Sequence, residues 1–370
     1  MRTTKHLIVL CVAMLATLLF SSCSLQAASV PSPNQTQALV APAITAASSP
    51  TTSILSTAEP TPEPTPEPTP EPTPEPTPEP EAFSIAWMSD TQTYTAADND
   101  VLGKMTQWIS DTQKECNTVL TVHTGDIVYN AYKEYQWQNA TAAFARLPKD
   151  MHIVTVAGNH DQLPDYDKHT PYLDHRVDSD FDPAHASDAT GYNYYTAFSA
   201  GGVPIIVFSL TYGLEVDAID WINQTCKEYA DHYAVLCVHS YMSVGGYSSI
   251  GRRLIEGVEK KSPNIRLVLS GHEGGMVYFA EELDDNGDGT TDRTVHQMMM
   301  NLQDDLYNGV GYLRILRLDP NTDTMEVVTY SPVLDRYGYK SYVGDQFGEK
   351  KILEDAGIRD FAVKNPSAAY

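Results

Sequence analysis

From Phe83 onward the chain alternates short apolar runs with segments whose apolar residues recur at helical spacing. The runs FSIAWM (83–88), TVLTVH (118–123) and HIVTVA (152–157) predict strands. Between them, VLGKMTQWISDTQKE (101–115) sets Val101, Met105, Trp108 and Thr112 at helical spacing. Residues 132–147 place Trp137, Ala140 and Phe144 on one helical face. Further strands are expected at YYTAFS, VPIIVFSL, YAVLCVH and RLVLSG, with a helix over about 215–229. After residue 275 come MVYFA, VHQMMM, YLRILRL and TMEVVTY. This order predicts a β-α-β first part and a more antiparallel second part, a layered α/β domain.

Two polar stretches interrupt the pattern. Residues 162–190 form a long insertion rich in Asp and His, expected to be a functional or mobile loop. In DDNGDGTTD (284–292), Asp284, Asn286 and Asp288-Gly289 have calcium-loop spacing, but Val295 stands where the loop's closing Glu belongs. Strands flank it, so a hairpin turn is the preferred reading.

Before Phe83 the pattern is different. Arg2 and Lys5 precede the apolar LIVLCVAMLATLLF and the small residues SSCS, which reads as an export signal. The apolar run is short for a transmembrane anchor. Leu19 and Phe20, two serines and Cys23 resemble a lipoprotein cleavage box, with Cys23 as the lipidated first residue. Ordinary secretion, with cleavage near LQAAS, is the alternative. Residues 24–58 are rich in Ala, Ser, Thr and Pro, and residues 59–81 repeat EPTP. Proline at alternate positions blocks helix and sheet and favours polyproline II. About 23 such residues would span roughly 70 Å. A stalk and a disordered spacer fit this segment equally. The expected organisation is a signal with Cys23 over 1–23, a linker over 24–81, a catalytic domain over 82–335 and an extension over 336–370.

Charge narrows the partners. The formal net charge is −24, with 24 Lys and Arg against 48 Asp and Glu. Such a surface repels nucleic acid, and no nucleic-acid patch is expected. With cationic side chains this sparse, a phosphate-bearing substrate would call for a metal. Cys116, Cys226 and Cys237 remain beyond the signal, an odd number that argues against a disulfide framework.

The polar residues that carry chemistry stand where strands end. Ser89-Asp90-Thr91-Gln92 follows the first strand, and Thr124-Gly125-Asp126 the second. Gly158-Asn159-His160-Asp161 follows the third, His239 ends YAVLCV, and Gly271-His272-Glu273-Gly274 follows RLVLS. In open α/β sheets, ligands bind beyond the carboxyl ends of strands. Singly, each motif is a common turn or cap. Together they predict one site.

In this order the motifs resemble those of the calcineurin-like metallophosphoesterases: Asp-x-His, Gly-Asp, Gly-Asn-His-Glu/Asp, a lone His and Gly-His-x-His. The resemblance covers about residues 83–335. It implies a four-layer α-β-β-α sandwich, two mixed sheets flanked by helices. It also implies two divalent ions, Mn, Fe, Zn, Mg or Ca, about 4 Å apart. Asp126 would bridge them. Asn159, His239 and His272 would complete one position, and Asp90 with Gln92 would serve the other. His160 would be the proton donor, oriented by Asp161. The implied function is an exported phosphoesterase that hydrolyses phosphomonoesters or phosphodiesters of small molecules, held to the outer face of a bacterial membrane by its lipid anchor, or secreted.

Two departures fall on the same metal position: Gln92 replaces the imidazole of Asp-x-His, and Gly274 that of Gly-His-x-His. Oxygen donors alone would favour a hard ion there, and Glu273 is a candidate replacement. The alternative is a cell-surface binding protein on the same fold, with one metal and little catalysis. Tyr129 is expected to be a pocket or packing residue. Specificity is expected from the 162–190 insertion and from aromatic residues such as Tyr94, Tyr129, Tyr194 and Tyr241.

Overall fold

The structure is a computed structural model. It describes residues 80–97, 99–162, 171–178, 181–187, 190–303 and 311–337, with the backbone of 358–359. The signal, Cys23, most of the repeat linker and most of the C-terminal extension lie outside these residues.

The chain runs β1 (Phe83–Met88), α1 (Gln92–Ala96), α2 (Val101–Cys116), β2 (Thr118–His123), α3 (Glu134–Phe144) and β3 (His152–Thr155). A short α4 (Pro171–Asp174) precedes β4 (Tyr194–Ala200), β5 (Val203–Leu210), α5 (Asp217–Glu228) and β6 (Tyr233–Val238). Then come the small hairpin β7 (Met242–Ser243) and β8 (Gly246–Tyr247), α6 (Ser249–Leu254) and a π-helical turn over Ile255–Glu259. β9 (Ile265–Ser270), β10 (Gly275–Leu283), β11 (Arg293–Asn301), β12 (Leu313–Asp319), β13 (Thr324–Ser331) and β14 (Arg336–Tyr337) follow.

These strands build two mixed sheets. One has the order β14-β13-β12-β1-β2-β3, with β1, β2 and β3 parallel and β12 antiparallel to β1. The other has the order β10-β11-β9-β6-β5-β4. Here β5, β6, β9 and β11 are parallel, and only the edges β4 and β10 run against their neighbours. After residue 275 the pairing is mostly antiparallel, as expected: β10 with β11, β12 with β1 and β13, and β13 with β14, while β11 lies parallel to β9. The short α6, on the connection from β6 to β9, is a helix that the apolar period did not reveal.

Alternation along each strand makes the layers. Phe83, Ile85 and Trp87 face Val207, Val235 and Leu269 in the core between the sheets. Ala86 and Met88 face the opposite way, onto Met105, Ile109, Trp137 and Phe144 of α2 and α3. On the second sheet Ile206, Phe208, Leu236 and Val268 pack on Ile219, Ile222, Leu254 and Val258. The result is helices, sheet, sheet, helices: a four-layer α-β-β-α sandwich of two mixed sheets. Trp87 is fully buried at its centre, and a large-to-small change there costs roughly 3–5 kcal/mol.

The buried stripe of α2 is Leu102, Met105, Thr106 and Ile109, one position round from the expected stripe. Trp108 sits at its margin and packs on Tyr330, with ring centroids 4.8 Å apart. The first sheet extends past residue 335 through β14. Residues 284–292 are the turn of the β10–β11 hairpin, with the Asp284 carboxylate accepting from the amides of Gly287, Asp288 and Gly289. Cys116, Cys226 and Cys237 are free thiols. Within the described parts of the insertion, Tyr172 is buried and its hydroxyl meets Thr155, while the Arg176 guanidinium lies 3.6 Å from the Phe181 ring centre. No helix among the described residues is long and apolar enough to cross a membrane.

Candidate metal centre and active site

Within each sheet β1, β2, β3 and β6, β9 are parallel, and the five motifs leave their carboxyl ends together. Contacts between the loops close the group. The amide of Asp90 donates to the Gly125 carbonyl at 3.0 Å, and that of Thr124 to the Met88 carbonyl at 3.1 Å. Across the two sheets, the amide of His272 donates to both carboxylate oxygens of Asp90 at 3.1 Å.

The turns are tight. Asp90, Asp126 and His272 all have positive φ, at 52°, 55° and 75°. Side-chain-bearing residues seldom adopt this region, and such conformations gather at functional sites. Glycine supplies the remaining room. A Cβ on Gly158 would stand 2.2 Å from Oδ1 of Asp126, and one on Gly125 2.6 Å from Nδ1 of His239. The Gly-Asp and Gly-Asn-His motifs therefore need glycine because a ligand-type side chain packs on its backbone.

Asp126, His239 and His272 bring their ligand atoms within 4.8 Å of one another. Nδ1–H of the buried His239 donates to the Thr124 carbonyl at 2.8 Å. In the neutral ring this turns the Nε2 lone pair toward Oδ1 of Asn159 at 3.0 Å, Oδ1 of Asp126 at 3.2 Å and Nδ1 of His272 at 3.2 Å. Acceptor atoms do not gather this closely without a proton or a cation between them. Burial opposes the protonated ring, but the hydrogen bond and charge of Asp126, then Asp90, outweigh burial and lift His239 to about 9. His272 is held low by burial and by its charged neighbour His239. Carbonyl, carboxylate and two imidazoles suit a divalent transition ion. These four residues fit one metal.

His160 adjoins this group. Its amide donates to Oδ1 of Asp126 at 2.9 Å, and its Nδ1 donates to the Tyr129 carbonyl at 2.7 Å. Asp161 does not orient it as expected. The Asp161 carboxylate turns inward and accepts from the amides of Val128 and Gly158, each at 2.9 Å. A buried carboxylate satisfies itself on the nearest free N–H groups, and here those belong to the two loops it ties together. Burial still raises its pKa to about 6.

Asp90 is fully buried. Burial raises it to about 7, against the charge of His239 and the hydrogen bond from Ser89. Oδ2 accepts from Ser89 Oγ at 2.6 Å. Ser89 in turn accepts from Thr124 Oγ1 at 2.6 Å, which accepts from Trp87 Nε1 at 3.0 Å. Gln92 opens α1, and its Nε2 donates to Oδ2 of Asp126 at 3.1 Å. Its Oε1 is buried without a partner among the described residues. The amide therefore turns its nitrogen toward the carboxylate, whereas a metal ligand would offer its carbonyl.

Sequence reasoning missed two members. His123, buried at the end of β2, accepts from the Gly125 amide at Nδ1 and donates from Nε2 to Thr91 Oγ1. Burial first, then His239, depresses it to about 3. Tyr212 leaves β5 with its ring 5.9 Å from His239 and 5.4 Å from His272. The signal for both was present, a polar residue closing an apolar run, but no motif marked it. Of the aromatic residues expected to set specificity, Tyr94, Tyr194 and Tyr241 are buried. Tyr129 is 55% exposed, with its ring 5.2 Å from that of His160.

A family model for calcineurin-like phosphoesterases matches residues 83–276. The uncharacterized protein YvnB of Bacillus subtilis is 36% identical over 276 residues, which is 73% of this chain. The chain spans 21% of that relative's length. Among solved structures, the calcineurin-like phosphoesterase YfkN of Bacillus subtilis aligns over 78% of this chain and 96% of its own, with 18% identity and a TM-score of 0.39. GAP50, the inner membrane complex anchor of Plasmodium, aligns over 78% and 94%, with 12% identity and a TM-score of 0.42. The match of the family model over more than half of the chain identifies the protein as a member of the calcineurin-like phosphoesterase family.

Proposed function

We propose that the protein is a metal-dependent hydrolase of small phosphomonoesters or phosphodiesters, working outside the cell. The observation that carries the catalytic reading is the convergence of Asp126, Asn159, His239 and His272 beside His160. The family is metal-dependent, and these four residues would hold the ion. When bound, a divalent ion there would polarise a phosphoryl oxygen and acidify water. The position expected for a second ion, at Asp90 and Gln92, differs: Asp90 lies outside this ligand group and the Gln92 nitrogen faces Asp126.

The chain's own residues do the rest. His160 is anchored through Nδ1 to a backbone carbonyl, which leaves Nε2 to protonate the leaving oxygen. Asp126 places the His160 backbone through Oδ1, so the proton donor and the ligand set move together. Asp161 ties the Val128 and Gly158 loops and keeps both in register. Tyr129 and Tyr212 flank His160 and the ligand histidines, where a leaving group would lie. Export and lipidation at Cys23 rest on the N-terminal pattern alone.

The test is a panel of phosphomonoesters and phosphodiesters, with Mn²⁺, Mg²⁺, Fe²⁺, Zn²⁺ or Ca²⁺ added to metal-stripped protein. Metal-dependent turnover that falls on the order of 10²–10⁴ in His160→Ala supports the enzyme. Metal binding without turnover on any ester would favour the alternative, a surface binding protein; the altered Asp90–Gln92 side motivates that reading.

A further inference from the structure

The second metal position of the family would lie between Asp90 and Asp126, and the residues around it do not fit an ion. Asp126 divides its oxygens. Oδ1 faces His239 and the His160 amide, while Oδ2 accepts from the Gln92 side chain. A carboxylate that bridged two ions through both oxygens would turn Oδ2 toward the second ion.

Asp90 is already served. Both of its oxygens accept from the His272 amide, and Oδ2 also takes the Ser89 hydroxyl. The Trp87–Thr124–Ser89 chain points every proton toward that carboxylate. A hydrogen-bond chain with one direction, started by an indole that can only donate, fixes Asp90 as its terminal acceptor.

Among the described residues, no imidazole takes the place of the two that are missing. His123 is near in sequence, but Nδ1 is used by the Gly125 amide and Nε2 by Thr91. Glu273 lies toward solvent with a half-exposed side chain, its Oε1 4.0 Å from Nε2 of His272. Among the described residues the gathered ligand set is Asp126, His239 and His272, and Asp90 does not join it.

Resting on the reading of this site as a metal centre, we propose that this protein binds a single metal ion and that the amide of Gln92 takes the second ion's place at Asp126. The amide nitrogen gives the outer carboxylate oxygen a hydrogen bond where a dinuclear enzyme has a cation. The reverse orientation would set Gln92 Oε1 against Oδ2, two acceptors in contact, so the carboxylate selects the nitrogen. The unpartnered Oε1 is the remainder of that choice. The phosphoryl group is then held by one ion and by polar side chains, not clamped between two ions.

The experiment titrates the metal-stripped full chain with Mn²⁺, reading stoichiometry by calorimetry and exchange coupling by electron paramagnetic resonance. Wild type, Gln92→Glu and Gln92→His are compared, with melting curves to show that each is folded. The expected result is one uncoupled ion in wild type, and a second, exchange-coupled ion in either variant, since each replaces the amide donor with a ligand. Two coupled ions in wild type would overturn the proposal. So would a single ion in both folded variants, because the amide would then not be what excludes the second. No ion bound to wild type would instead remove the metal-centre reading and this proposal with it.

Discussion

Oδ1 of Asp126 lies 3.2 Å from Nε2 of His239, whose other nitrogen is already committed to the Thr124 carbonyl. A proton or a metal must therefore sit on the Nε2 side. The two compete. With the folded, metal-free ring near 9 against an ordinary 6.5, metal must displace a proton below about pH 9. Apparent metal affinity should rise with pH up to that value and flatten above it. Calorimetric titrations in buffers of different ionisation enthalpy should show proton release at pH 7. An affinity that does not change between pH 6 and 9 would contradict this.

The same shift has a consequence for stability without metal. A group whose folded pKa is raised stabilises the fold below its unfolded pKa, and that contribution is lost as pH rises through the folded value. For His239 the window runs from about 6.5 to about 9. The metal-free protein should melt at progressively lower temperature across this window. Saturating metal should flatten the trend, because the ion replaces the proton.

Asp161 should be a positioning residue. Asp161→Ala strands the amides of Val128 and Gly158, each at a cost of about 1–3 kcal/mol. The melting temperature should fall, and the pH dependence of any remaining turnover should keep its shape. If Asp161 oriented His160 directly, that profile would shift instead.

Gly158→Ala tests the packing behind the ligands. Its Cβ would stand 2.2 Å from Oδ1 of Asp126, with the Asp126 amide 2.3 Å away. Neither neighbour is the end of a flexible chain. Metal affinity should fall by about 10–100-fold, the range seen when a ligand's support is disturbed, and equilibrium dialysis would measure it. An unchanged affinity in a folded variant would show that the loop can yield.

Much of this was legible in the sequence because it is local. An apolar run that breaks into Gly-Asp or Gly-Asn-His-Asp reports both a strand and the polar residue that ends it, so Asp90, Asp126, Asn159, His239 and His272 can be picked out one by one. The two faces of β1, with Phe83, Ile85 and Trp87 on one and Ala86 and Met88 on the other, are both apolar, so only the structure tells them apart. What stayed hidden depends on backbone and distance. The partner of His160 is the carbonyl of Tyr129, and no residue type announces a carbonyl. The family resemblance implies that Asp161 orients His160, but the carboxylate faces two amides behind it. Tyr194 and Tyr241 read as pocket residues by chemistry, yet their hydroxyls serve Thr155 and Glu259 in the interior. The parallel run β5-β6-β9-β11 follows from connections that the apolar period does not describe.

The most direct test of the whole account is turnover of one aryl phosphoester by the full chain before metal removal, after it and after Mn²⁺ is restored, with His239→Ala alongside. Turnover that is lost on stripping, returns with the metal in wild type and stays absent in the folded His239→Ala variant is the predicted result. Hydrolysis that persists unchanged through metal removal, or that His239→Ala retains, would contradict it.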